Sequence, residues 1–191
     1  MRRLVDEHGP LDEDERRRGR PLEPYGALVR SIVGQQLSTK AARTIYDRLT
    51  DMFGGRTPTP AELLAADPDE VRTAGLSRAK VSYLRSLAEH VESGELELAR
   101  LSELPDEEVS AQLTAVKGLG QWTADMFLIF HLRRPDVLPV GDLGIRRAVE
   151  RAYGLPEMPD PARLTEIAQP WRPNRSLASL YLWRSLDNAP V

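Results

Sequence analysis

Two short stretches hold the residues whose types and spacing could do chemistry. In LPVGDLGIRRAVE, residues 138–150, a lone carboxylate, Asp142, stands between Gly141 and Gly144 where a helix begins. Aspartate is a favoured N-cap, so its side chain is expected to accept a helix N–H. A carboxylate held there can also act as a base, or set negative charge beside a developing cation. The second stretch is VKGLGQWTADMFLIF, residues 116–130, with Lys117-Gly118-Leu119-Gly120 between two amphipathic segments. A helix–helix turn with a glycine C-cap accounts for it. So does a phosphate grip. Without Cβ atoms, Gly118 and Gly120 let the backbone approach a ligand. Amides around Gln121 and Thr123 then point at an anion from the positive end of the helix dipole, and Lys117 adds a charge.

Composition removes several other chemistries. The 191 residues contain no cysteine, which excludes disulfides, thiolate zinc, iron–sulfur clusters and cysteine nucleophiles. His8, His90 and His131 are scattered without ligand spacing, so no metal held by side chains is expected. The net charge of −3 argues against nucleic-acid binding by bulk positive charge. It leaves room for a local grip on a few phosphates. The charge mixture MRRLVDEHGPLDEDERRRGR at the N-terminus is not a signal peptide, and no apolar run reaches a membrane span. A cytoplasmic protein is expected, nucleoid-associated if bacterial.

The elements that must position these residues read as helices nearly throughout. Leu28, Ile32 and Val33 recur at helical spacing over 24–36. Ser38 should cap a helix to about Met52, ended by Gly54-Gly55. Thr59-Pro60-Ala61-Glu62 is a capping box, and Asp67-Pro68-Asp69-Glu70 is a near copy. Further helices are expected from Ser77 to Val91, Pro105 to about Ala115, Gln121 to His131, Asp142 to about Tyr153, from Pro161, and over 175–186. No period-2 run appears, and the expected fold is all-α. Residues 1–20, poor in apolar anchors, are expected to form a loose arm ahead of a domain over 21–191.

Three segments resemble the helix-hairpin-helix DNA glycosylases of the 3-methyladenine DNA glycosylase II family, in its compact form without an N-terminal β-rich domain. They are SIVGQQLS (31–38), VKGLGQWTAD with LPVGDLGIRRAV (116–125 and 138–149), and WRPNRSLASLYLW (171–183). The resemblance covers the chain from about Pro24 onward. It implies two helical lobes with a cleft between them: one over roughly 38–150 containing the hairpin, the other from the N- and C-terminal helices. It also implies a damaged double-stranded DNA substrate, base flipping, no required cofactor, no membrane, and a monomer.

By this resemblance Asp142 is the catalytic carboxylate. Trp122 and Trp183 fall where the family carries pocket aromatics, and Met126 and Leu143 are expected to complete an apolar wall. Gln36 aligns with the wedge that fills the gap left by the flipped nucleotide, with Gln35 or Leu37 assisting. Gly118, Gly120, Lys117, Thr123 and Arg175 are the other DNA contacts expected, although Arg175 and Ser176 could instead brace the Asp142 loop. Relatives hold a sodium, potassium, magnesium or calcium ion on hairpin carbonyls, here those of Thr114, Val116 and Leu119. Bifunctional relatives carry a Schiff-base lysine where this chain has Trp122, which implies a monofunctional enzyme acting on 3-methyladenine and 7-methylguanine. The competing readings are a bifunctional oxidised-base or mismatch glycosylase and a non-catalytic DNA-binding module.

Overall fold

The computed structural model describes residues 1–11 and 23–186. The described residues form helices and loops, with no strand among them, as the hydrophobic spacing requires. Among them no helix is long and apolar enough to cross a membrane. They group into two compact units, one within Pro21–Ala124 and the other within Met1–Arg20 together with Asp125–Pro190.

The first unit begins with α2 (Pro24–Gly34) and α3 (Thr39–Asp51), which pack against each other. Ser38 accepts the Ala41 N–H and starts α3 as its sequence indicates. Two short helices follow, α4 (Pro60–Ala65) and α5 (Pro68–Arg72). Thr59 and Glu62 form the full capping box. Asp67 makes only half of one: its carboxylate accepts from Asp69 N, so the near copy works as a simple cap. Helix α6 (Arg78–Glu92) is capped by Ser77 and packs on α2, α4 and α5. A 3₁₀ segment (Leu98–Glu103) and α7 (Asp106–Ala115) lead to the hairpin and α8 (Gln121–Met126). Leu28, Ile32, Leu49, Leu63, Leu84 and Leu87 are completely enclosed in this unit. Burying each contributes about 1.5–3 kcal/mol.

The second unit pairs α9 (Leu143–Tyr153) with α11 (Arg175–Arg184), and α10 (Pro161–Ile167) packs on α9. Helix α1 (Arg2–His8) lies against α11. Where the sparse apolar residues suggest a loose arm, α1 buries Leu4 and the Tyr181 hydroxyl donates to Gly9 O at 3.0 Å. That one leucine and one tyrosine tie the segment down. The rest of the expected arm, residues 12–20, lies outside the described residues. A second departure follows α8, where Phe127–His131 continues as a π-helical turn with Leu132 N bonded to Phe127 O.

Candidate active site

Asp142 caps α9, and its surroundings fix it more tightly than capping alone requires. Its Oδ1 accepts the Ile145 N–H at 2.8 Å and the Trp183 indole N–H at 3.0 Å. The carboxylate is 8 % exposed and Trp183 is 3 % exposed. The Trp183 ring in turn stacks on Phe130, with centroids 5.7 Å apart and planes inclined by 25°. Phe130 comes from the π-helical turn, whose extra residue resets which side chains face α11. Gly144 leaves the space these contacts need: a Cβ there would lie 3.0 Å from Asp142 Oδ1 and 3.4 Å from Trp183 Cδ1. The aspartate, two aromatics and a glycine therefore form one assembly.

The loop entering Asp142 is anchored from α11. The Arg175 guanidinium binds Asp136 through both carboxylate oxygens and the backbone carbonyl. Arg172 reaches the same carboxylate at 2.8 Å. Burial raises the Asp136 pKa, but hydrogen bonds from Arg175 and the charges of Arg175 and Arg172 outweigh it and hold the carboxyl below its ordinary value. Ser176 accepts from Val137 N and donates to Arg134 O. Of the two roles open to Arg175 in the sequence, the loop brace is the one its contacts display.

In the other unit, the two hairpin glycines do different things. Gly118 has φ +90°, and a Cβ there would meet the Tyr83 ring at 2.1 Å, so its bare Cα is demanded by packing. No heavy atom lies within 4 Å of a Cβ built on Gly120, which is exposed. The open approach expected of both glycines belongs to Gly120. Val116 and Leu119 are buried, and Leu119 N closes the turn on Val116 O at 3.1 Å. Ala124 N bonds to Gly120 O at 3.1 Å at the start of α8.

The turn after α2 is tied to this hairpin. Gln35 Nε2 donates to Gly118 O at 2.8 Å. Lys80 Nζ donates to Val33 O at 2.7 Å, and burial pushes its pKa below the ordinary lysine value. Gln36 is exposed in the left-handed region at φ +59°, unusual for a residue with a side chain. Leu37 is half-buried. Gln35 is therefore the anchor of the turn and Gln36 its exposed tip.

The remaining expected residues are placed as follows. Trp122 is half-buried at the start of α8, in the same unit as the hairpin. Thr123 is 3 % exposed and belongs to the interior, not to the open face of the hairpin. Met126 is buried at 5 %, whereas Leu143 is 65 % exposed beside Asp142; one belongs to the core and the other to the surface. Lys117 is exposed and donates to Ser82 Oγ at 3.3 Å. Thr114 is exposed, its hydroxyl turned to Ser110 O. No cluster of three or more His, Cys, Asp or Glu that could hold a metal occurs among the described residues. Nothing in the sequence marks Phe130 and Asp136 as site residues, and Gly144 is seen there only as a neighbour of Asp142. Only Gly144, the second residue of an amphipathic helix, hinted at a close approach.

A glycine hairpin feeding one helix and a braced aspartate capping another are the working parts of a base-excision DNA repair fold. The chain belongs to the HhH-GPD superfamily of base excision DNA repair proteins, whose family model matches residues 29–173. It is 38 % identical over 165 residues to DNA-3-methyladenine glycosylase 1 of Schizosaccharomyces pombe, covering 85 % of this chain and 72 % of that protein. A 3-methyladenine DNA glycosylase from the same yeast, solved in complex with abasic DNA, superposes with a TM-score of 0.86 at 34 % identity, covering 100 % of this chain and 92 % of that one. The DNA-3-methyladenine glycosidase of Bacillus halodurans gives 0.77 at 43 % identity, covering 85 % and 75 %.

Proposed function

We propose that this chain is a monofunctional DNA glycosylase. It flips an alkylated purine, 3-methyladenine or 7-methylguanine, out of duplex DNA and hydrolyses its N-glycosidic bond. The observation that carries this reading is the Asp142 assembly, in which Ile145 N and Trp183 Nε1 fix one carboxylate oxygen. The names of the relatives reported above support the substrate class.

The chemistry follows from charge. An alkylated purine carries a positive charge, so when the C1′–N bond breaks the bonding pair leaves with the base and neutralises it. Positive charge then develops on the sugar. A fixed carboxylate stabilises that charge without reorganising, and it can take a proton from the water that attacks C1′. The product is an abasic site. Trp122, half-buried at the start of α8, provides aromatic surface suited to a cationic base, while the enclosed Trp183 ring orients Asp142. Gly120 and the amides that follow it grip a phosphate, while Gln36 enters the gap left by the flipped nucleotide.

The expected absence of strand cleavage rests on the residue at the Schiff-base position and on the engagement of the lysines nearest the hairpin. By the family resemblance, Trp122 stands where lyase relatives carry the Schiff-base lysine. Lys80 is engaged with Val33 O and Lys117 with Ser82 Oγ. A monovalent or alkaline-earth ion on the carbonyls of Thr114, Val116 and Leu119 fits this reading. A carbonyl oxygen has two lone pairs, so Val116 O can accept from Leu119 N and still face a cation. Such an ion would add positive charge beneath the phosphate grip.

Mass spectrometry of bases released from methylated duplex DNA tests the proposal, with borohydride trapping alongside. Free 3-methyladenine or 7-methylguanine with no trapped adduct is the expected result. A trapped adduct, or no released base, would contradict it.

A further inference from the structure

A cleft of about 450 Å³ lies in the first unit, between α5, the outer face of α6 and Lys117 at the start of the hairpin. Arg72, Arg78, Arg85 and Lys117 line it, against the carboxylates of Asp69 and Glu89. A chain of net charge −3 thus concentrates cations in one groove. Arg78, Ser82, Arg85 and Glu89 recur at helical spacing, so one face of α6 forms the wall.

The charges are not all spent. Asp69 accepts from Arg72 Nη1 at 2.7 Å, which pairs off one of the cations. Arg85 uses Nη1 on Leu64 O at 3.1 Å. Arg78 is exposed, and no ion pair among the described residues includes it. The cleft has more donors than acceptors, which suits an anion rather than a cation or an apolar group.

Its position supplies the ligand. Lys117 Nζ bonds Ser82 on the cleft wall, and the next residue along α6, Tyr83, packs under Gly118. The cleft is therefore continuous with the hairpin. We propose that it is a second phosphate site, which holds the DNA backbone where the strand runs on past the hairpin. Arg78 is the principal contact, and the Ser82 and Ser86 hydroxyls are added donors. This inference rests on the glycosylase reading and names a surface beyond its reaction centre.

The test is the salt dependence of binding to a duplex with a stable abasic analogue, for wild type, Arg78→Gln and Arg163→Gln. Arg163 is an exposed arginine of the other unit, paired with Glu166. Each phosphate contact adds about 0.9 to the slope of log K against log salt, so Arg78→Gln should flatten the slope by roughly that amount. Its binding deficit should then shrink about three- to fourfold between 50 and 200 mM salt. Undamaged duplex should show the same change, since a backbone contact does not read the lesion. Arg163→Gln should keep the wild-type slope.

An unchanged slope for Arg78→Gln, with its thermal melting intact, would overturn the phosphate site while leaving base release as evidence for the glycosylase. A change confined to the abasic duplex would also overturn it. Wild-type protein that binds neither duplex would end both readings.

Discussion

The Trp183 indole and the α9 backbone converge on the same oxygen of Asp142: Nε1 of the tryptophan and N of Ile145 both donate to Oδ1. One oxygen thus sets both the start of a helix and the orientation of the proposed reactive group. Replacing Trp183 by phenylalanine keeps the stack on Phe130 but removes the N–H. The expected result is roughly a tenfold slower single-turnover excision, as for the loss of about 1.4 kcal/mol of positioning. An unchanged rate would mean that the indole only fills space.

Gly144 makes the same point from the opposite side. The Cβ of alanine would press on Asp142 Oδ1 at 3.0 Å and on the Trp183 ring at 3.4 Å. Gly144→Ala should slow excision at least as much as Trp183→Phe. Its melting temperature should change little, because alanine favours the helix by about 1 kcal/mol over glycine. Crystals of the variant should show the carboxylate displaced from Ile145 N or Trp183 Nε1.

Gly118 presents a steric problem of a different size. A Cβ only 2.1 Å from the Tyr83 ring, at φ +90°, leaves alanine no place without moving the hairpin. Gly118→Ala should lose about 2–4 kcal/mol of stability in urea unfolding. A Gly118→Ala/Tyr83→Ala pair should be more stable than the sum of the two single changes predicts, because the clash is shared. Strict additivity would place the defect in the backbone angle alone.

Gln36 separates folding from binding. Its left-handed backbone costs a residue with a side chain about 1–2 kcal/mol and glycine nothing, which offsets the extra chain entropy glycine loses, so Gln36→Gly should hold or slightly raise stability. If the side chain enters the DNA, affinity for a lesion duplex should nevertheless fall several-fold in a titration. Equal affinity would remove Gln36 from the interface.

Asp136 gives a pH signature. Its folded pKa lies below the ordinary 3.8, so the stability from its ionised form is complete above that value and fades as the pH falls through the folded pKa. Asp136→Asn should therefore cost about 1–3 kcal/mol near pH 7. That cost should disappear in acid, below the folded pKa. A cost that persists there would point to lost packing instead of lost charge.

Much of this was legible in the sequence because local rules decided it. Ser38, Thr59 and Ser77 cap the helices their side chains predict, and Asp142 both caps α9 and sits in the expected segment. The parts that were not legible depend on contacts between distant segments. Nothing local marks Phe130 as the partner of Trp183, since that pairing arises only once a π-helical turn reorients the residue. Leu4 alone could not announce that α1 packs, because the tyrosine that holds Gly9 lies near the other end of the chain. The two hairpin glycines look equivalent in sequence, and only the Tyr83 ring distinguishes them.

The central claim is that Asp142 performs the reaction. Single-turnover release of 3-methyladenine from alkylated duplex, by wild type and by Asp142→Asn, tests it most directly. The asparagine amide can still accept from Ile145 N and Trp183 Nε1, so duplex binding should survive while release slows by on the order of a thousandfold. Release by the variant at the wild-type rate would contradict the account.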